Sequence, residues 1–210
     1  MLHKNAIDKS ALELLKNLQN DKELQEFHLA GGTSLALQIG HRKSIDLDLF
    51  SQSDFDNNFL SEYLEQTFGF LLDYSAKNTL KGSIHNIKLD IISHKYLLVS
   101  PILQEENIRL YSIEDIAAMK LNAIAGNGTR SKDFIDIYFI LKQFSVKEIL
   151  RFYTIKYKSR NAMHVIKSLS YFDDINIQDW PEMLTEKNLT LKKVKQNIEK
   201  SVKLFSENLL

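Results

Sequence analysis

Residues 28–50 read HLAGGTSLALQIGHRKSIDLDLF, and this stretch decides how the rest of the chain is organised. An apolar lead-in runs into Gly31-Gly32-Thr33-Ser34. A short helix-like segment, Thr33 to Ile39, follows and stops at Gly40. A basic cluster, His41-Arg42-Lys43, then precedes Ile45-Asp46-Leu47-Asp48-Leu49-Phe50. In that last run apolar residues alternate with carboxylates. A strand over Ser44 to Phe50 turns Asp46 and Asp48 to one face and Ile45, Leu47 and Leu49 to the other. Paired carboxylates on one face form part of a cage for a hard divalent cation such as Mg²⁺, which takes oxygen ligands. The Gly-Gly-Thr-Ser turn offers backbone N–H groups and hydroxyls to phosphate at the start of the following helix. Taken alone, Asp-x-Asp also describes the solvated face of an edge strand. The glycines upstream, Arg42 in between and a third carboxylate downstream favour the metal reading.

That third carboxylate is Asp90, in the middle of Ile87-Lys88-Leu89-Asp90-Ile91-Ile92. An Asp inside such an apolar strand costs stability unless something compensates it. A cation shared with Asp46 and Asp48 is one compensation, and a salt bridge to a lysine or arginine is the other. Around these segments the spacing predicts helices over Ser10–Gln19, with Ser10 as N-cap, and over Ser53–Thr67, with Phe55, Phe59, Leu60, Tyr63 and Leu64 as its buried stripe. Phe68–Ala76, Thr79–His85 and Asn86–Ser93 read as strands, as does Glu26–Ala30. Leu97–Gln104 reads as a connector broken by Pro101.

From Ser112 the texture becomes helical. Ser112-x-x-Asp115 opens a helix that stops at Gly126-Asn127-Gly128. Further helices are expected over Arg130–Gln143, Ser145–Tyr157, Ala162–Leu169 and Leu189–Asn208, with Tyr171–Pro181 acidic and irregular. Lys120 interrupts an apolar run in the first of these, and Asp133 and Asp136 share a face of the second. The acids either orient Lys120 and contact a nucleotide or form a surface pair. The expected architecture is α+β: a mixed α/β domain over 1–104, then a helical domain over 105–210.

Composition narrows the functional classes. Lysines and arginines number 27 and acids 27, so no global basic field recruits nucleic acid, and an RNA partner needs a local patch. Lys192, Lys193, Lys195, Lys200 and Lys203, with Lys156, Lys158 and Arg160, are the candidates. The absence of cysteine excludes disulfides and thiolate metal sites and fits a reducing compartment. Neither a secretory signal nor a membrane-spanning run is readable, so a cytoplasmic location is expected. Gly31-Gly32 lacks the Gly-Lys-Ser/Thr of a P-loop, and no Ser/His/Asp arrangement is evident.

Gly31-Gly32-Thr33 followed by Asp46-Leu47-Asp48 resembles the signature of the DNA-polymerase-beta-like nucleotidyltransferases. The fuller string through His41-Arg42-Lys43-Ser44-Ile45-Asp46-Leu47-Asp48-Leu49-Phe50 is more specific. So are Glu114 to Lys120 and Lys132 to Tyr138. Together they resemble the abortive-infection nucleotidyltransferase toxins of the AbiEii/AbiGii type. The resemblance implies a minimal nucleotidyltransferase fold followed by a helical domain that completes the nucleotide and acceptor cleft. It implies a nucleoside triphosphate donor, Mg²⁺ (with Mn²⁺ as substitute), an RNA acceptor such as the 3′ end of tRNA, and a separate antitoxin protein. By motif position Asp46 and Asp48, with Asp90 as the third carboxylate, become the metal and catalytic residues. Gly32 and Thr33, with Gly31 and Ser34 beside them, become the phosphate turn. From its place next to the carboxylate strand, Arg42 is either a phosphate clamp in the nucleotide site or a salt-bridge partner. Lys120, with Asp133 and Asp136, belongs to the nucleotide site. Two competing functions stand beside this one: a nucleotidyltransferase with a small-molecule acceptor such as an antibiotic, and an idle module that binds nucleotide or partner without transfer.

Overall fold

The computed structural model describes residues 1–159 and 161–207, so Arg160 and the last residue of the expected terminal helix, Asn208, lie outside the described residues. The chain forms two compact units, Met1–Tyr96 with Ile102–Tyr111, and Leu97–Pro101 with Ser112–Leu210. The α+β class is as expected: the first unit holds the sheet and the second is helical.

In the first unit α1 (Lys9–Asn20) precedes β1 (His28–Leu29), α2 (Gly31–Ile39), β2 (Leu47–Ser51) and α3 (Asn57–Phe68). Then come β3 (Leu71–Ala76), β4 (Thr79–Ile84), β5 (Ile87–Ser93), β6 (Leu103–Glu105) and β7 (Ile108–Leu110). The sheet order is β3-β4-β5-β2-β1-β7-β6. The β2–β5 and β1–β7 pairs are parallel, and the others antiparallel. Leu47 and Leu49 of β2 and Leu89 and Ile91 of β5 face a core completed by Leu15 and Leu18 of α1 and Leu60 and Leu64 of α3. Gln19 of α1 reaches β7 of the sheet. Its amide donates to Arg109 O (2.9 Å) and accepts from Arg109 N (2.6 Å), so it holds β7 as a neighbouring strand would.

Several boundaries differ from the sequence expectation for identifiable reasons. Helix α1 starts one residue early, so Ser10 lies inside it and Asp8 takes the N-cap position. Helix α3 starts at Asn57 because the Asp56 carboxylate caps it, accepting from Asn58 N and Phe59 N. Its buried residues are Leu60 and Leu64, while Phe59 is exposed. Strand β2 starts at Leu47, not Ser44, and Ile45 is 58% exposed instead of packed beside Leu47. The connector over Leu97–Gln104 gives way to the β6–β7 hairpin, whose turn residues Glu106 and Asn107 both have positive φ (52° and 63°).

The second unit contains α4 (Ile113–Gly126), α5 (Ser131–Ile140), α6 (Val146–Tyr157), α7 (Met163–Leu169) and α8 (Leu191–Glu207). Helix α4 packs against α5, α6 and α7, and α8 packs against α5, α6 and α7. The cap at the start of α4 is as expected, and α6 carries one too. Ser112 Oγ accepts from Asp115 N (3.1 Å), and Ser145 with Glu148 forms a capping box on α6. Segment 97–101 joins this unit through Asp115, whose carboxylate accepts from Val99 N and Ser100 N (both 3.1 Å). Lys156 Nζ closes the same cluster, 2.7 Å from Asp115 Oδ1 and 3.2 Å from Leu97 O. Both side chains are fully buried, so Lys156 is removed from the expected basic patch.

Candidate active site

Backbone geometry brings the carboxylate strand and the glycine turn together. Ala30 N donates to Asp48 O (2.8 Å), which ties the entry of α2 to β2. Gly31 has φ +66°, a left-handed conformation that glycine adopts without strain. A Cβ there would overlap the Asp48 carboxylate, with its carbon only 2.9 Å away, so the absent side chain is what lets Asp48 approach the turn. A Cβ on Gly32 would meet the Arg42 guanidinium, 3.5 Å from its central carbon. Arg42 is buried and donates from Nη1 to Lys43 O (3.0 Å).

The hydroxyls of the turn are engaged by the protein. Thr33 Oγ1 bonds to Ser44 Oγ (2.8 Å) and donates to Asp46 O, which holds the residue before β2 against the start of α2. Ser34 Oγ is buried and donates to Tyr111 O (3.2 Å). The group suited to an incoming phosphate here is therefore the backbone N–H array at the first turn of α2.

Asp48 and Asp90 stand directly abreast in the parallel β2–β5 ladder. Leu47 and Leu49 enter the core on one face, so Asp48 projects from the other. Asp90 is buried, and of the two compensations considered for it the salt bridge is the one present. Lys81 Nζ lies 3.0 Å from Oδ2, whereas Oδ1 is buried and accepts no hydrogen bond. Lys81 is a site residue that sequence analysis missed. Asp46 lies just ahead of the ladder and is half-buried. Among the described residues no group of three or more His, Cys, Asp or Glu side chains is gathered to hold a metal ion. What fits a hard cation is the Asp48–Asp90 pair, with all-oxygen donors and one unbonded buried oxygen.

In the helical unit Lys120, Asp133 and Asp136 come together as a buried cluster. Lys120 Nζ is 2.7 Å from Asp133 Oδ1 and 2.7 Å from Asp136 Oδ2. All three residues are buried, which replaces the surface-pair alternative for the two acids. Spacing puts Asp133 and Asp136 on one face of α5, and packing of α4 against that face delivers Lys120 between them. Asp133 Oδ2 is buried and makes no hydrogen bond.

The similarities of the chain agree with this geometry. A protein of Aquifex aeolicus (strain VF5) with no assigned function is 28% identical over 208 residues, which cover 96% of this chain and 98% of its own. The crystal structure of JHP933 from Helicobacter pylori shares the fold at 20% identity, with a TM-score of 0.55 over 97% of this chain and 94% of that one. The solution structure of the antibiotic-resistance factor ANT(2'')-Ia shares it at 13% identity, with a TM-score of 0.56 over 73% of this chain and 92% of that one. A family model described as nucleotidyl transferase AbiEii toxin, type IV TA system, matches residues 13–205. With a match of that extent, running through both the carboxylate strands and the Lys120 cluster, the chain belongs to the AbiEii nucleotidyltransferase toxin family.

Proposed function

We propose that this nucleotidyltransferase moves a nucleoside monophosphate from a nucleoside triphosphate to the 3′ end of tRNA, and so acts as the toxin of a toxin–antitoxin or phage-defence system. The observation that carries the reading is the in-register pair Asp48 and Asp90 beside a glycine turn whose missing side chain makes room for the Asp48 carboxylate. In the reaction the acceptor hydroxyl oxygen forms a bond to the α-phosphorus, the bond from that phosphorus to the bridging oxygen breaks, and pyrophosphate leaves. Mg²⁺, or Mn²⁺ in its place, held by Asp48 and Asp90 with Asp46 alongside, would supply charge neutralisation at the phosphates and lower the acceptor hydroxyl's pKa.

The residues of the chain have separable tasks in this scheme. Backbone N–H groups of Gly31, Gly32 and Thr33 hold the phosphates, Ser34 N being spent on Ala30 O, and Arg42 adds positive charge beside Gly32. Within the helical unit, Lys120, oriented by Asp133 and Asp136, is the residue proposed to contact nucleotide. The family description supports an antitoxin partner. Among the described residues no helix is long and apolar enough to cross a membrane, and a cytoplasmic site of action is part of the proposal.

A second reading has specific support. The formal net charge of zero and the fold shared with ANT(2'')-Ia favour a small-molecule acceptor, such as an antibiotic. The deciding experiment offers each α-labelled nucleoside triphosphate with Mg²⁺ to total tRNA and, separately, to a panel of hydroxyl-bearing antibiotics. Label entering one tRNA band with wild type and not with Asp48→Ala supports the proposal. Label entering the small molecules alone moves the acceptor to the second reading. No transfer to either, with triphosphate binding retained, leaves a nucleotide-binding module.

A further inference from the structure

Lys81 faces Asp90 across the antiparallel β4–β5 ladder. The next pair along, Leu80 and Ile91, enters the core, so Lys81 and Asp90 lie on the opposite face of the sheet, which they share with Asp48. Strand order then fixes a row. It runs from the glycine turn after β1 to Asp48 on β2, Asp90 on β5 and Lys81 on β4. The Lys81 strand is two strand spacings, about 10 Å, from the Asp48 strand. Lys81 Nζ is 3.0 Å from Asp90 Oδ2, while Oδ1 is buried and accepts no hydrogen bond. The two oxygens of one buried carboxylate are therefore in different states. One already carries a cation, and the other does not.

A lysine that only neutralises a buried acid is best enclosed with it, as Lys156 is with Asp115, where both side chains are fully buried. The Lys81 side chain is instead 42% exposed, so a further ligand can reach it. In phosphoryl transfer with two metal ions, one cation serves the leaving oxygen and the other the attacking oxygen, about 3.5–4 Å apart. With the donor phosphates on the glycine turn, as proposed above, the leaving group belongs to the Asp48 end of the row. The attacking hydroxyl then comes to the Asp90–Lys81 end. The cation that stands there is an ammonium.

We propose that Lys81 takes the place of a second metal ion. Its ammonium, held by Asp90 Oδ2, donates a hydrogen bond to the attacking oxygen of the acceptor and keeps a second divalent cation out. The inference rests on the transferase reading of the carboxylates. In the step, the acceptor hydroxyl loses its proton to Asp90 and its oxygen bonds to the α-phosphorus. Pyrophosphate leaves with the electron pair of the broken bond. Lys81 stays protonated throughout, and its charge offsets the negative charge that develops on the attacking oxygen.

The test is the electron paramagnetic resonance spectrum of Mn²⁺ bound to the full-length protein with each α,β-methylene nucleoside triphosphate, which binds but cannot release pyrophosphate. Two Mn²⁺ ions about 4 Å apart couple and give a spectrum unlike that of an isolated ion. Wild type and Lys81→Arg are expected to show an isolated ion. Lys81→Met, which releases Asp90 Oδ2, is expected to show a coupled pair. In limiting Mg²⁺ the transfer rate of Lys81→Met should fall about 100-fold and recover in part as Mg²⁺ is raised. Triphosphate affinity should not change, and Lys81→Arg should keep most of the rate. A merely structural role for Lys81 would not change the number of ions bound. A coupled pair in wild type, or an isolated ion in Lys81→Met, overturns the role given to Lys81 and leaves the transferase reading standing. A Mn²⁺ spectrum that neither Asp48→Asn nor Asp90→Asn alters would sink the carboxylate metal site itself, and the role of Lys81 with it.

Discussion

Gly31 has no room for a side chain, and that single restriction lets the Asp48 carboxylate approach the turn. In Gly31→Ala the new methyl meets the Asp48 carboxylate and the backbone is held at positive φ. The cost to folding is roughly 1–2 kcal/mol. Transfer should fall by about 100-fold or more, because a displacement of about 1 Å at the reacting groups has that effect. Equal transfer by Gly31→Ala and wild type, measured with saturating triphosphate, would refute the role given to the close approach. Lys81 carries a different prediction. Lys81→Met leaves Asp90 buried without its cation, at a cost of about 1 kcal/mol given that Lys81 is half exposed. If Asp48 and Asp90 hold a divalent cation, added Mg²⁺ should raise the melting temperature of Lys81→Met more than that of wild type. An identical Mg²⁺ response in both would argue that Asp90 is only the partner of Lys81. The pairing is readable in retrospect. His85 and Asn86 both have positive φ, as a two-residue primed turn requires, and from Ile84↔Ile87 the register counts outward to Lys81↔Asp90. The sequence hides it because His-Asn lacks the Asn-Gly or Asp-Gly that usually marks such a turn.

Elements with a chemical start signal were legible, and those fixed by distant partners were not. Ser112 and Ser145 announce α4 and α6 through their own side chains, and Gly40 ends α2 in the left-handed conformation. By contrast, β6 and β7 are three residues each, with exposed Leu103 and Gln104 in β6, and their pairing depends on Gln19 and on β1. No local periodicity reveals such strands. The buried Asp115–Lys156 pair is equally invisible, since its partners are 41 residues apart. Asp115→Asn removes the charge that Lys156 faces and weakens the bonds to Val99 N and Ser100 N. A loss of about 3 kcal/mol is expected, with faster amide hydrogen exchange at Val99 and Ser100. Unchanged exchange there would mean that the segment is held by other contacts. Glu186 supplies a pH prediction. Hydrogen bonds from Lys142 and Lys193, and a weaker one from Tyr138, lower its pKa from 4.5 to about 2. A depressed carboxylate pKa means stability that is fully present above pH 4.5 and is lost as pH falls toward 2. All the charges involved are partly in water, so the effect is modest. The melting-temperature advantage of wild type over Glu186→Gln should therefore shrink between pH 5 and pH 2. A constant advantage across that range would rule out the ion pairs as its source.

On the whole molecule, 27 basic and 27 acidic side chains cancel, so the tRNA acceptor proposed above would have to be held by a few local cations and not by a general field. The structure narrows those cations. Lys156 is buried against Asp115, Lys193 is paired with Glu186, and Lys195 sits over the Phe172 ring at 5.4 Å. Lys203 is exposed on α8 at 3.9 Å from Glu207, and Lys158 is exposed after α6. Lys192 and Lys200 are also exposed on α8, whose opposite side buries Val194 and Ile198. If α8 forms part of the acceptor surface, these two lysines contact phosphate and release counterions on binding. Each such contact contributes about 0.7–0.9 to the slope of log affinity against log salt. Replacing both with glutamine should lower that slope by about 1.5 for tRNA, weaken tRNA binding at low salt, and leave the apparent affinity for the triphosphate unchanged. Because neither side chain is buried, the melting temperature should stay within the range of ordinary surface substitutions. A salt slope that is the same in the double variant and wild type would remove α8 from the acceptor surface. A slope near zero in both would say that tRNA is not held electrostatically at all, and it would favour the small-molecule acceptor that the neutral composition also accommodates.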